Sequence, residues 1–215
     1  MHARCDGKID CVDDSDEFDC LLVEQSSAYK KQLSPPPEGN KTMSEVQMSI
    51  DIINLEKIDE IKASVVYQYL LFLTWYEGRL RFQNLKTTGT NQLESKEAEQ
   101  LWVPRIVFYN TGERLENLMD EKTTKTVQRK GDFTTVKNRQ LFKGSENPLT
   151  SSRFYRTTFV CNFDMAWYPF DTKKCSMDFV VENSNADYVD IVDGNLTYSG
   201  PLELTQYFVK KRTLS

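Results

Sequence analysis

The chain has 215 residues, of which 39% are hydrophobic and 12% aromatic, enough for one sizeable globular core. Its formal net charge of −5 gives no reason to expect a nucleic acid or an anionic membrane surface as a partner. The longest apolar stretch, residues 65–76, is much shorter than the ~20 residues that cross a bilayer, and no secretory leader opens the sequence.

Cysteine usage points to an oxidising, extracellular compartment. No CxxC pair occurs and His2 is the only histidine, so a zinc site is not expected and disulfides are the simpler interpretation. Two sequons for N-glycosylation, at Asn40 and Asn195, agree with that compartment. The five cysteines are Cys5, Cys11, Cys20, Cys161 and Cys175.

The chain starts with an unusually acidic segment, CDGKIDCVDDSDEFDC at residues 5–20. Seven carboxylates stand there against Lys8 alone, so the segment repels itself unless a hard cation neutralises it. Calcium, which takes six to eight oxygen ligands, is the favoured cation, although a solvated acidic tail is the alternative. The spacing excludes an EF-hand.

This cysteine and carboxylate spacing closely resembles the second half of an LDL-receptor class A module. The resemblance implies a disulfide between Cys5 and Cys20, and a partner for Cys11 before Met1. It also implies a Ca²⁺ ion held by carboxylates and two backbone carbonyls. The side-chain ligands would be Asp6, Asp10, Asp16 and Glu17, and the carbonyl ligands would be Ala3 and Lys8.

Residues 21–45 form a polar stretch centred on three consecutive prolines, Pro35 to Pro37. Because proline fixes φ and lacks an N–H donor, we predict an extended linker here rather than part of the core. The predicted domains are therefore a partial module at 1–20, this linker, and a third domain at 46–215.

From Val46 onward the sequence alternates apolar and polar residues with a period of two, which is typical of strands with one buried face. The alternation predicts strands at 46–52 and 61–75, separated by a turn or short helical piece at 55–61. A helix is predicted at 93–100. The further predicted strands are 106–109, 133–136, 154–163, 175–181, 188–192 and 202–209.

Many short strands joined by Gly, Asn and Pro turns favour an all-β, immunoglobulin-like fold of two packed antiparallel sheets. An α/β enzyme is the alternative, but the sequence lacks the regularly spaced amphipathic helices that such a fold needs. No G-x-S-x-G motif or phosphate-binding loop occurs either, so we do not expect an enzyme.

Cys161 and Cys175 lie on strand-like segments, and a disulfide between them would close a loop with thirteen residues inside. Such a bridge stabilises the folded chain by about 3 kcal/mol, because it lowers the conformational entropy of the unfolded chain. The loop contains Tyr168, Pro169, Phe170 and Asp171 near its centre, and this pattern resembles the signature of the Cys-loop receptors, the pentameric ligand-gated ion channels.

Three further motifs resemble this family in the same order along the chain. They are Trp75-x-Glu77-x-Arg79-Leu80, Trp102-x-Pro104-x-Ile106-x-Phe108-x-Asn110, and Glu203-Leu204-x-Gln206-Tyr207. The resemblance implies a sandwich of about ten strands, whose tenth strand and pore helices would follow Ser215. It also implies association with other subunits, a small-molecule agonist, and a membrane-bound pore.

In this family the loop that the disulfide closes, here residues 161–175 and called the stapled loop below, faces the pore domain and transmits the agonist signal. By resemblance, Tyr168 to Asp171 are the gating residues, with Phe170 an apolar plug and Asp171 a buried polar contact. Stapling fits this role, because a flexible coupler would absorb the displacement that it should transmit.

The family binds agonist between subunits in a cage of aromatic residues, where cation–π attraction contributes ~0.5–2 kcal/mol per contact. Tyr109 matches the first aromatic position, as an agonist contact or as simple packing. Glu182 occupies the second position, as a solvated charge or as a carboxylate directed into the cleft. Leu70 occupies the position on the complementary face, and Phe72 shares its strand face.

Three functional hypotheses remain from the sequence, of which the most distant is an adhesive or lipoprotein-binding surface protein that would use the acidic module. The leading hypothesis is the extracellular domain of a pentameric ligand-gated channel subunit in the cell membrane, with a calcium module before it. The alternative is a secreted soluble binding protein with the same sandwich fold.

Overall fold

The computed structural model describes residue 12 and residues 21–87, 91–111, 123–136, 139–166, 170–184, 187–204 and 207–209. The described chain is nearly all β and forms two packed sheets and a short ribbon, which confirms the predicted fold class. The strands are β1 Val23–Gln25, β2 Ser44–Asp59, β3 Ser64–Trp75, β4 Leu80–Gln83, β5 Asn91–Gln92, β6 Ile106–Phe108, β7 Thr124–Val127, β8 Phe133–Val136, β9 Arg139–Lys143, β10 Leu149–Val160, β11 Phe179–Val181 and β12 Val189–Tyr198.

The larger sheet has six strands in the order β12-β2-β3-β10-β7-β5, and the smaller sheet has four in the order β1-β4-β9-β8. Strands β6 and β11 form a separate antiparallel ribbon. On β2, Val46, Met48 and Ile50 are buried while the residues between them are more exposed, as the alternation predicts. The core therefore lies against one face of the larger sheet.

Among the strands that the structure describes, one pair is parallel and the others are antiparallel. Strand β12 runs beside β2 from Val189 to Tyr198, with a bulge between Asp193 and Leu196. Gly194 occupies this bulge, and a Cβ there would lie 2.5 Å from the backbone oxygen of Met48. Only glycine permits this close approach of the two strands.

The predicted turn or helical piece at 55–61 is wrong, because β2 continues as a strand to Asp59. Two register shifts, between Ile52 and Asn54 and between Leu55 and Lys57, interrupt the period of two. The strand predicted to begin at 61 begins at Ser64, and Ile61 lies exposed in the turn.

The stretch predicted as a linker contributes to the fold instead of standing apart from it. Val23–Gln25 pairs with β4, and Leu22, Val23 and Tyr29 pack against the core. The backbone N–H of Val23 donates to the buried carboxylate of Glu97 in α1, Ser95–Glu99. This helix lies within the segment predicted to be helical.

Several predicted strands have different bounds in the structure, and the one predicted at 154–163 is β10, Leu149–Val160. The strand predicted at 175–181 begins only at Phe179, because side-chain hydrogen bonds replace the strand ladder before it. The strand predicted at 202–209 is wrong: Glu203 bridges Phe208 in antiparallel pairing, so the chain reverses direction. Strand β12 extends well beyond the predicted 188–192.

At the C-terminal end of β3, the Trp75 and Trp102 rings pack edge to face with their centres 5.8 Å apart. Beside them the carboxylate of Glu77, 1% exposed, accepts hydrogen bonds from Nε and Nη2 of Arg79 at 2.7 and 2.6 Å. Arg79 also donates to the backbone oxygen of Leu33 and stacks on Tyr29. No helix in the described part of the chain is long and apolar enough to cross a membrane.

Candidate functional site

The other end of β3 carries the predicted disulfide. Cys161 and Cys175 are bonded, with their Cα atoms 4.9 Å apart, which confirms this pair. The backbone N–H of Cys161 donates to the oxygen of Ala63 at 2.7 Å, so the loop starts in contact with the turn between β2 and β3. Ala63 adopts φ = 47°, a left-handed conformation that costs a non-glycine residue about 1 kcal/mol or more.

Asn110 ties the segment that follows the loop to the sandwich. Its Nδ2 donates to the backbone oxygens of Val160 and Ser176 at 3.2 and 2.8 Å. Its Oδ1 accepts from the N–H of Asp178 at 2.9 Å. The final asparagine of the Trp102 motif therefore joins the ends of β6 and β10 to the segment after Cys175, a role that sequence reasoning missed.

Lys173 directs its charge into the loop rather than into solvent. Its Nζ pairs with the carboxylate of Asp171 and lies 3.5 Å from Oε1 of Glu60 in the β2–β3 turn. The side chains of Lys173 and Asp171 are only 11% and 8% exposed. The hydrogen bond to Asp171 raises the pKa of Lys173, so the ammonium group stays charged at neutral pH.

A third segment meets this cluster. The hydroxyl of Tyr207 donates to Oε1 of Glu60 at 2.8 Å. Glu60 therefore accepts contacts from the stapled loop on one side and from the 202–209 segment on the other. We call Glu60, Asp171, Lys173 and Tyr207 the junction cluster, because it joins three segments that are far apart in sequence.

Two large apolar side chains stand out at this end of the molecule. Ile61, at the tip of the β2–β3 turn, is 98% exposed, and Phe170, in the stapled loop, is 91% exposed. Exposed apolar residues on neighbouring tips are typical of a surface that another structure covers. Of the predicted gating residues, Tyr168 and Pro169 lie outside the described residues.

The predicted agonist residues Tyr109 and Glu182 lie on the β6–β11 ribbon. The N–H of Tyr109 donates to the oxygen of Asp178, and the N–H of Glu182 to that of Arg105, both at 2.8 Å. This register separates Tyr109 and Glu182 by four residues along the ribbon, or about 13 Å. The Glu182 carboxylate is exposed and pairs with Nε of Arg105 at 3.0 Å, which fits a solvated charge at the strand end.

Asp178 is the carboxylate next to Tyr109, and sequence reasoning did not single it out. The antiparallel pairing places these two residues directly across the ribbon, both on its exposed face. Tyr109 is 71% exposed. Asp178 follows Met177, which packs against the core, so the strand period alone directs Asp178 away from the core; its neighbour across the ribbon requires the pairing register.

Leu70 and Phe72 lie on the larger sheet, on the face opposite the core. Both are half-buried, and their cross-strand neighbours on β2 are Asp51 and Ser49. They share neither strand nor sheet with Tyr109 and Glu182. The four predicted agonist residues thus form two separate surfaces on one chain.

The predicted calcium ligands and the Cys5–Cys20 pair lie outside the described residues. In the part of the chain that the structure describes, no group of three His, Cys, Asp or Glu side chains could hold a metal ion. Both sequon asparagines are exposed, Asn40 within a turn at 38–41 and Asn195 in the bulge of β12.

Comparison of the amino-acid sequence with known proteins matches the chain to one family. Residues 19–211 match the family model described as the neurotransmitter-gated ion-channel ligand binding domain. A gamma-aminobutyric acid receptor subunit beta-4 of Gallus gallus is 27% identical over 192 residues, 86% of this chain and 35% of that protein.

Two acetylcholine receptor subunits are similar at comparable length. The neuronal subunit alpha-9 of Gallus gallus is 21% identical, covering 80% of this chain and 32% of that protein. The subunit alpha-type unc-38 of Caenorhabditis elegans is 27% identical, covering 75% of this chain and 27% of that protein. The chain thus spans about a third of the length of these relatives.

Proposed function

We propose, from the premise that this chain belongs to the family of neurotransmitter-gated ion-channel ligand-binding domains, that it is the extracellular agonist-binding domain of a channel subunit in the cell membrane. In this proposal it assembles with four other subunits, binds a small agonist between neighbours, and passes the signal to a pore through the stapled loop.

The proposal rests on one observation: three separate segments of the chain meet at the junction cluster. The disulfide-bonded loop, the β2–β3 turn and the 202–209 segment meet through charged and hydrogen-bonded side chains rather than through a continuous core. Such contacts hold segments in register while allowing a second arrangement, which a transmitting element needs.

The exposed tips of Ile61 and Phe170 favour a channel over a secreted soluble protein. A soluble binder would leave both side chains in water, at the same end of the molecule. A pore domain packed against this end would cover them.

The two agonist surfaces support binding between subunits. Tyr109 and Asp178 lie on the ribbon, and Leu70 and Phe72 on the outer face of the larger sheet, so one chain supplies two different half-sites. In a ring each half-site would face the other half-site of the next subunit.

Tyr109 with Asp178 supports a cationic amine as the agonist. An aromatic face attracts a cation, and a neighbouring carboxylate adds direct charge pairing. Glu182 is less suited, because a cation would have to displace Arg105 from it.

The test is agonist-evoked current in oocytes that express the full-length subunit containing this chain. Asp178→Asn should raise the half-maximal concentration of an amine agonist roughly tenfold, since a charge-assisted contact of about 1.4 kcal/mol is lost. Asp190→Asn is the matched control, as Asp190 is an exposed aspartate on β12. Equal responses of both variants would remove Asp178 from the site.

A further inference from the structure

The excess negative charge of the chain lies entirely in its first 20 residues. These residues contain seven Asp or Glu against Arg4 and Lys8, a net charge of −5 that equals the net charge of the whole chain. Residues 21–215 are therefore neutral as a group, and any attraction between them and the acidic segment depends on how their charges are distributed.

The smaller sheet is the cationic part of that neutral remainder. Residues 80–90 and 133–145, which contain β4, β8 and β9, include five Lys or Arg and no Asp or Glu. Three carboxylates adjoin this sheet, and all lie toward the end where β4 begins and β9 ends: Glu24, Asp132 and Glu146. The other end of the sheet is therefore the one with uncompensated positive charge.

Arg139 lies at that other end, as the first residue of β9, and pairs with Val136 at the end of β8. Its Nη1 donates to Oε1 of Gln83, the last residue of β4, at 3.3 Å. Within the residues that the structure describes, no carboxylate forms an ion pair with its guanidinium group. The amide of Gln83 orients Arg139 but leaves its charge uncompensated.

The acidic segment enters the fold at the same place. The backbone N–H of Gln83 donates to the oxygen of Leu22 at 2.8 Å, directly before β1. Because β1 and β9 flank β4, two strand spacings of about 10 Å separate Leu22 from Arg139. Asp19 precedes Leu22 by three residues, which span up to about 10 Å. The length of the chain therefore allows Asp19 to reach the guanidinium group.

We propose that the acidic segment, residues 5–20, docks on this cationic end of the smaller sheet, with Asp19 paired to Arg139. The LDL-receptor resemblance assigns other carboxylates of the segment to Ca²⁺ and leaves Asp13, Asp14 and Asp19, so docking and calcium binding use different groups. The contact fixes the acidic segment relative to the sandwich. It uses neither agonist half-site, since those lie on the β6–β11 ribbon and the larger sheet, and it is independent of the proposed function.

Zero-length carbodiimide cross-linking of the full-length subunit containing this chain tests the contact, because the reagent joins an amine only to a carboxylate that touches it. Exposed ion pairs add little to the free energy of unfolding, so contact is the better readout than stability. Arg139→Lys keeps the positive charge and supplies the amine. Mass spectrometry should find this amine joined to residues 5–20, chiefly at Asp19, and Asp19→Asn should abolish the link to that position.

Two controls accompany this measurement. The native pair of Lys143 and Glu146, 3.1 Å apart, should link in every sample. Arg81→Lys is the matched control, because Glu24 lies directly across from Arg81, and the introduced amine should link to Glu24 rather than to the acidic segment. If the controls link and the amine at position 139 does not link to residues 5–20, the proposal is overturned.

A second copy of the chain is the alternative source of the acidic segment. Chains that carry both Asp19→Asn and Arg139→Lys are therefore co-expressed with unsubstituted chains. In this mixture only a link between two chains can join the introduced amine to Asp19. We expect no such link, and its presence would show that the segment docks on a neighbouring copy, which would overturn the contact within one chain.

Discussion

The two ends of β3 are both closed by a carboxylate paired with a cation, yet they are built differently. At the Trp75 end, Glu77 and Arg79 are two residues apart, and Arg79 is clamped by Tyr29 and Leu33. At the Ser64 end, Lys173 connects Asp171 with Glu60, more than a hundred residues away along the chain.

The difference indicates that the Glu77–Arg79 pair stabilises the core, whereas the contacts of Lys173 link separate surface segments. The Glu77 carboxylate is buried and its partner Arg79 is only 19% exposed, so the pair cannot open without leaving a charge in the interior. The junction cluster lies at the surface and joins turns and loops, which can shift with little loss of apolar burial. We therefore expect changes at the first end to lower stability and changes at the second to alter signalling.

The largest effect should follow from Arg79→Met. The substitution leaves the Glu77 carboxylate buried without its cation, which should lower the free energy of unfolding by about 3 kcal/mol or more. Urea denaturation of the whole chain measures this loss. Arg81→Met is the matched control, because Arg81 is exposed on the same segment and should change stability little. Equal losses of unfolding free energy in both variants would show that the Glu77–Arg79 pair does not stabilise the fold.

Removal of the disulfide should have a somewhat smaller effect on stability. Cys161→Ser combined with Cys175→Ser should lower the free energy of unfolding by about 3 kcal/mol, through added freedom of the unfolded chain. Hydrogen exchange should also speed up at the β2–β3 turn, where Cys161 bonds to Ala63, and not around Trp75. Faster exchange at both ends would contradict the independence of the two regions.

The same substitutions should abolish agonist-evoked current in the full-length subunit at the cell surface, because an unstapled loop would not hold the junction cluster in register. Surface labelling separates lost signalling from lost assembly. Normal current would contradict the coupling role of the loop.

Much of the sandwich could be predicted from local alternation, as for Val46, Met48 and Ile50. The continuation of β2 through Glu56 could not, because two bulges break the period and the charges there suggest a turn. In the structure, Arg156 donates two hydrogen bonds to Glu56 and Gln68 donates a third. These partners on β10 and β3 stabilise a charged strand and are invisible in local sequence.

The residues of the candidate site that belong to a sequence motif could be predicted, and the others could be predicted only in part. The stapled loop follows from its cysteines and the residues between them. Asp178 required the β6–β11 register, which sequence alone does not give. Lys173 had a usable signal, since counting back by two from Cys175 places Lys173 and Asp171 on the inward side and Lys174 outside.

That inward and outward alternation makes the adjacent lysines a sharp test of the junction cluster. Lys173→Gln removes the cation between Asp171 and Glu60, whereas Lys174→Gln changes the net charge equally at an exposed position. We expect Lys173→Gln to raise the half-maximal agonist concentration several-fold, with little change in urea denaturation. Glu60→Gln should add less than its own effect in the Lys173→Gln background, because both act through one contact. Equal shifts for the two lysines, or strictly additive shifts for Lys173 and Glu60, would show that the cluster does not transmit the signal.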